Sequence, residues 1–219
     1  MVVDVLINSC ARPDILGISI KTFMKHVKTS HNLRYVILED KVRRIKRREK
    51  GKEWIINNKN LFDEVHFAEK KMGPGFFFAP IVNLCKSDYF FHLEDDNEFI
   101  TDVNLDPILD IMQKNDYIVE VMLNRGRIRK KNNLGKVIVD GLKLIEFDLF
   151  SVATGVFNTK LVKQIIDKAG WKNQLHEAGL LTPISKKLNL KKYILEHGIQ
   201  HYKHVGAEKG YRKGAWKNE

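Results

Sequence analysis

The chain has 219 residues, 43% of them apolar and 30% charged. That suits a single globular domain with a real core and excludes a disordered polymer. No stretch approaches the roughly eighteen apolar residues of a spanning helix. The net charge of +11 and pI near 9.5 point to anionic partners: nucleotides, nucleic acid or an anionic membrane.

The opening MVVDVLINSCARPD is apolar from the start, without the basic front or small-residue cleavage site of a signal peptide, so a cytoplasmic location is expected. Residues 2–8 read as a strand. Residues 12–28 read as a helix with Ile15, Ile18, Phe23 and Val27 on its apolar stripe. A strand at 33–39 precedes a basic helix at 42–57, with Val42, Ile45, Trp54 and Ile55 as its buried points. A third strand at 63–68 leads to a Gly73-Pro74-Gly75 turn and a helix at 74–85, where Phe76-Phe77-Phe78 enters the core. A fourth strand at 88–93 ends in Glu94-Asp95-Asp96. This strand–helix alternation predicts an α/β, Rossmann-like doubly wound sheet, helices on both faces, with ligands at the carboxyl ends of the strands. Farther on, 117–123, 136–139 and 144–147 read as strands and 159–169 and 183–196 as helices, with a last strand at 198–205. Cys10 and Cys85 are too few for a disulfide framework or zinc site and read as buried thiols.

The acids after Tyr89-Phe90-Phe91-His92-Leu93 carry the chemistry. Three like charges at the end of an apolar strand repel unless a cation neutralises them. Side chains alternate along a strand, so Glu94 and Asp96 share a face and Asp95 points away. Two converging carboxylates suit a hard cation, Mn2+ or Mg2+. The competing reading is an acidic loop that caps the next helix. His92 and His201 read as structural. Two segments concentrate the positive charge: residues 41–52 hold eight Lys/Arg and one Glu, and residues 124–136 hold six Lys/Arg and no acid. A solvated helix face and a polyanion contact both account for the first of these.

The acidic run resembles the DxD motif of family 2 glycosyltransferases, enzymes of the GT-A type, with Glu in the first position. The resemblance implies a single GT-A domain, 1–100 binding the nucleotide-sugar and 101–219 forming the acceptor side. It implies a nucleotide contact from the turn Asn8-Ser9-Cys10-Ala11-Arg12-Pro13, chiefly Ala11 and Arg12, and base reading by the acid that ends the second strand, in Glu39-Asp40, chiefly Asp40. It also implies a donor contact from Asn83, a ribose contact from Glu94 or Asp95, and metal ligation by Asp96. In the second half, Gly155-Val156-Phe157-Asn158 resembles the segment entering the acceptor side. Glu177 lies where the family carries its catalytic base, with Asp148 as the second candidate. His204-Val205-Gly206 resembles an element that lends an imidazole to the metal. A metal-assisted transfer from a nucleotide-sugar, with one base and inversion, is the activity implied.

The basic segments favour a polyanionic acceptor. Double-stranded DNA carrying a hydroxymethylated base, as modified by bacteriophage-type enzymes, is the leading expectation. An envelope polysaccharide or lipid-linked acceptor is the alternative. A nucleotidyltransferase would carry a glycine-rich loop after the first strand, but residues 8–12 contain no glycine. A non-catalytic nucleic-acid-binding module explains the charge but not the three acids.

Overall fold

The computed structural model describes residues 1–72, 78–126, 132–170, 177–196 (backbone alone at 177 and 178) and 200–205. The apolar run β1 (Val2–Ser9) sits inside a nine-stranded sheet, flanked in parallel by β3 (Asn32–Glu39) and β5 (Tyr89–Glu94). β4 (Glu64–Phe67) pairs in parallel with β3 at one edge. Beyond β5 come β11 (Gly155–Asn158), β8 (Ile118–Met122), β12 (Lys191–Leu195), β10 (Leu142–Phe147) and β9 (Asn133–Val139), of mixed direction. The register places Asn8 beside both Leu38 and Glu94, and Ser9 beside Glu39. The carboxyl ends of β1, β3 and β5 therefore form one rim.

Helices cover both faces, as the alternation predicts. α1 (Pro13–His26), α2 (Ile45–Asn57) and α4 (Asp106–Lys114) bury Leu16, Phe23, Ile55 and Ile108 on one side. α3 (Phe78–Asn83), α5 (Thr159–Ala169) and α6 (Glu177–Lys187) bury Phe78, Ile81, Val162 and Leu181 on the other. Each such side chain contributes about 1.5–3 kcal/mol of transfer free energy. α1 starts at Pro13, whose fixed φ fits a first helical turn, and Asp14 complements the dipole there. α5 matches its predicted span. The Asn158 side chain caps the Leu161 amide at 3.1 Å, and left-handed Gly170 ends the helix.

Several expectations are corrected. The helix read over 183–196 stops at Lys187: Asn189 turns left-handed at φ 54°, and Lys191–Leu195 continue as β12. Ile45, expected to be buried, is 64% exposed, because α2 starts there and turns Gly51 and Ile55 inward instead. α1 ends at His26, and β2 (Val27–Lys28) pairs with β7 (Val103–Asn104). The last strand reduces to β13 (Tyr202–His204), paired with β6 (Asn97–Phe99). α4, β6 and β7 were not foreseen. Phe78 is buried as expected, whereas residues 73–77 lie outside the described residues. Among the described residues no helix is long and apolar enough to cross a membrane.

Candidate functional site

The acids occupy the common rim. Glu94 ends β5, and Asp96 lies in the tight turn to β6. β13 runs antiparallel to β6 and brings His204 beside Asn97. Ligand atoms of Glu94, Asp96 and His204 all lie within 4.8 Å of one another. His204 Nδ1 is 3.3 Å from Asp96 Oδ1, and its Nε2 is buried with no hydrogen-bond partner among the described residues. Burial raises the Glu94 pKa, the Asp96 carboxylate raises it further, and His204 pulls it back. Two carboxylates and an imidazole with an unused nitrogen form a donor set that fits Mn2+, and a divalent charge would relieve the repulsion.

Asp95 turns away, as the alternation predicts, toward the turn after β1. Its carboxylate accepts from the Cys10 amide at 2.9 Å and from Arg12 Nε at 3.1 Å, and it forms an ion pair with the Arg12 guanidinium. Arg12 Nη1 also reaches Asp96 Oδ2 at 3.4 Å. One guanidinium therefore orients two neighbouring carboxylates. Ala11, buried in the same turn, is left-handed at φ 53°, a strained conformation for a residue with a Cβ. Arg47 of α2 secures the turn, donating to the Ala11 carbonyl at 3.0 Å and the Cys10 carbonyl at 2.8 Å.

Asp40 is buried at the end of β3 and accepts the Met72 amide at 2.8 Å. Its neighbour Glu39 points toward α2. Burial pushes its carboxyl up to about 7; Asp95 and Asp40 add to this, while the Ser9 hydroxyl and Ala11 amide oppose it. Glu39 and Asp40 border a cavity of about 300 Å³ with Lys41, Arg48, Lys52 and Phe67. Among the described residues, buried polar atoms at this rim with no hydrogen-bond partner include Asn8 Oδ1, Asn97 Oδ1 and His204 Nε2. Such a concentration marks a surface built to meet a polar ligand.

Asn83 does not join the site. It is exposed at the end of α3, before a turn whose Lys86 amide binds Asp4 near the start of β1, at the sheet's opposite edge. Asp148 is also remote: it pairs with Lys186 after β10, which runs away from the rim. Glu177 opens α6, and its side chain lies outside the described residues, as do Gly206 and residues 127–131 of the second basic segment. Gly155 enters β11 so close to β8 that a Cβ would stand 2.5 Å from the Val121 carbonyl oxygen. His201 is structural, its Nδ1 accepting the Asn124 amide at 2.9 Å. His92 packs against Phe78 and lies 2.8 Å from the Asn8 amide nitrogen; burial lowers its pKa to about 4. Asn97, not singled out from the sequence, contacts Glu94 Oε2 at 3.5 Å and hydrogen-bonds Thr154. Its place after the acids was the available signal.

No family model and no curated protein matches the sequence. Solved structures do match. S. aureus TarS superposes with a TM-score of 0.61 over 97% of this chain and 38% of its own, at 12% identity. The 1–349 portion of S. aureus TarS in complex with UDP-GlcNAc gives 0.59 over 93% and 58%, at 12% identity. GalNAc-T7 with UDP, GalNAc and Mn2+ gives 0.67 over 93% and 44%, at 12% identity.

The fold is GT-A.

The chain spans 38%, 58% and 44% of these three GT-A structures.

Proposed function

We propose that this protein is a glycosyltransferase that moves a sugar from a nucleoside-diphosphate sugar to an acceptor hydroxyl with a divalent cation, Mn2+ or Mg2+. The observation that carries the reading is the convergence of Glu94, Asp96 and His204 within 4.8 Å on the rim beside the β1–α1 turn. The UDP, UDP-GlcNAc and Mn2+ found in the similar structures support a uridine diphosphate donor.

Asp96 and His204 would hold the cation, with Glu94 completing the set or meeting the ribose, and a divalent charge there would supply screening for a departing diphosphate. Arg12 keeps Asp95 and Asp96 in register, and with Ala11 it frames the nucleotide. Asp40 faces the base. Glu177 takes the proton from the acceptor hydroxyl, and a single base opposite the leaving group gives inversion.

The test is thermal shift with UDP, GDP and CDP, with and without Mn2+, followed by diphosphate release from UDP-sugars. Asp96→Ala should lose the Mn2+-dependent shift and all transfer. Glu177→Gln should keep the shift and lose turnover. Absence of any Mn2+-dependent nucleotide shift in the wild type ends this reading; normal turnover by Glu177→Gln moves the base elsewhere.

The acceptor is carried by an anionic partner, although less of the charge is available than the sequence suggests. Arg47 is spent on the β1–α1 turn, Lys41 donates to the Glu69 carbonyl at 2.8 Å, and Lys52 lies over Phe67. The side chains of Arg43, Arg44, Lys46 and Lys50 are exposed and form no hydrogen bond or ion pair among the described residues.

A further inference from the structure

We propose that the rim following β3 and β4 docks this protein on an anionic lipid surface. Parallel pairing puts the ends of both strands on the edge that carries the acids. Exposed there are Arg43, Arg44, Lys46 and Lys70, against the exposed acids Glu49 and Glu69. Among these cations stand two large apolar side chains facing water, Ile45 at 64% and Phe67 at 37% exposure. Phe67 and Lys41 border the same 300 Å³ basin, and Ile45 opens the helix whose Arg48 and Lys52 complete it.

The apolar residues decide between partners. A nucleic-acid backbone satisfies Arg43, Arg44 and Lys46 but offers nothing to an isoleucine in water. An anionic bilayer satisfies both: headgroup phosphates take the cations, and the acyl boundary takes Ile45 and Phe67. The sequence supports this locally, since Arg43-Arg44-Ile45-Lys46 sets one apolar residue inside three cations at a helix start. Docking by this rim turns the acid cluster's edge toward the membrane, where a lipid-linked acceptor hydroxyl lies. Variants of Arg43–Lys46 test the docking separately from the transferase reading, because none of these four side chains lines the basin beside Asp40.

The experiment is co-sedimentation of the whole chain with vesicles of phosphatidylcholine, and of phosphatidylcholine mixed with phosphatidylglycerol. A fluorescent DNA duplex is titrated in parallel. The protein should sediment with the mixed vesicles and not the neutral ones. Each surface cation supplies about five-fold in affinity, so Arg43→Ser with Arg44→Ser should weaken vesicle binding roughly 25-fold. Ile45→Ser should weaken vesicle binding several-fold while leaving duplex binding and the UDP–Mn2+ thermal shift unchanged. Equal partition onto neutral vesicles, no vesicle binding, or an Ile45→Ser variant that binds as tightly as wild type would each overturn the proposal. Duplex binding without vesicle binding would assign the rim to nucleic acid.

Discussion

Asp96 and His204 are 108 positions apart in the chain, yet their side chains meet at 3.3 Å. The acids were legible because three carboxylates closing an apolar strand have few physical uses. His204 was reachable only through resemblance, since spacing cannot say that two distant residues share an edge. The grip of Arg12 on Asp95 was not legible: both stood out as charged, but a pairing across 83 positions exists only in the fold. If the imidazole ligates the metal, His204→Ala should raise the Mn2+ needed for half-maximal thermal shift at least ~10-fold, the lower range seen when metal-site partners are lost. An unchanged titration would make His204 a packing residue. Glu39 gives a prediction with a sign. An acid raised to about 7 in the folded state is still protonated when its unfolded counterpart has ionised. Stability is therefore lost as pH rises from the usual glutamate value toward 7, and is flat above. Glu39→Gln should flatten that slope and be the more stable form at pH 8 by ~3 kcal/mol. Parallel urea-melt profiles for the two proteins from pH 5 to pH 8 would show that Glu39 does not titrate there.

At the level of elements, strands were read more securely than their partners. The span of α5 was legible because Asn158 and Gly170 punctuate it at both ends. β12 was misread as helix because Lys-Lys-Tyr-Ile-Leu-Glu follows a helical run without a proline or glycine. The stop lay in Asn189, the residue type that after glycine most readily turns left-handed. α4 was passed over although Asp106-Pro107 is a helix-opening pair. α2 was foreseen as basic, but not that its contact with the rest of the fold runs through a glycine. A Cβ at Gly51 would stand 2.5 Å from Glu39 Oε1 and 2.9 Å from the Ala11 Cα. Gly51→Ala gains ~1 kcal/mol of helix propensity. The clash with a backbone atom outweighs it, because overpacking costs ~1–3 kcal/mol and more when nothing can yield. A net loss of stability in urea unfolding is expected, with displacement of the β1–α1 turn; if that turn meets the donor as proposed, UDP binding weakens too. A variant as stable as wild type would mean that α2 can slide.

Across the whole molecule, the sheet is pinned near the amino ends of its parallel strands by Asp4, fully buried in β1. Arg34 Nε donates to it at 2.8 Å, the Lys86 amide at 2.7 Å and the Ser87 hydroxyl at 2.7 Å. Burial opposes its ionisation, but Arg34 and these donors outweigh burial and bring its pKa down to about 2. A depressed acid stabilises the fold above its unfolded value and loses that contribution as pH falls through the folded one. Acid unfolding should therefore steepen between pH ~4 and ~2, with ~2 kcal/mol at stake. Asp4→Asn should abolish this part of the transition and cost ~2 kcal/mol at neutral pH, since Arg34 loses its buried partner and keeps only Glu64. Circular dichroism during acid titration distinguishes the two. The doubly wound half was legible because β1, β3 and β5 follow one another with helices between. The far half was not, because its strands reverse direction and pair out of chain order.

The pairing of β13 with β6 also has a temporal meaning. The parallel core can assemble from the first hundred residues by short, early closures, whereas the imidazole arrives through a loop of more than a hundred. Closing so long a loop adds little entropy cost per residue, roughly 0.6 kcal/mol for each doubling. The cost is chiefly in waiting. The edge that carries Asp96 and His204 should therefore be the last part of the molecule to mature and the first to come undone, through detachment of Tyr202–His204 while the sheet stays intact. An ion bridging Asp96 and His204 would act as a latch on that seam, slowing hydrogen exchange at residues 202–204 while leaving Phe90–Leu93 untouched.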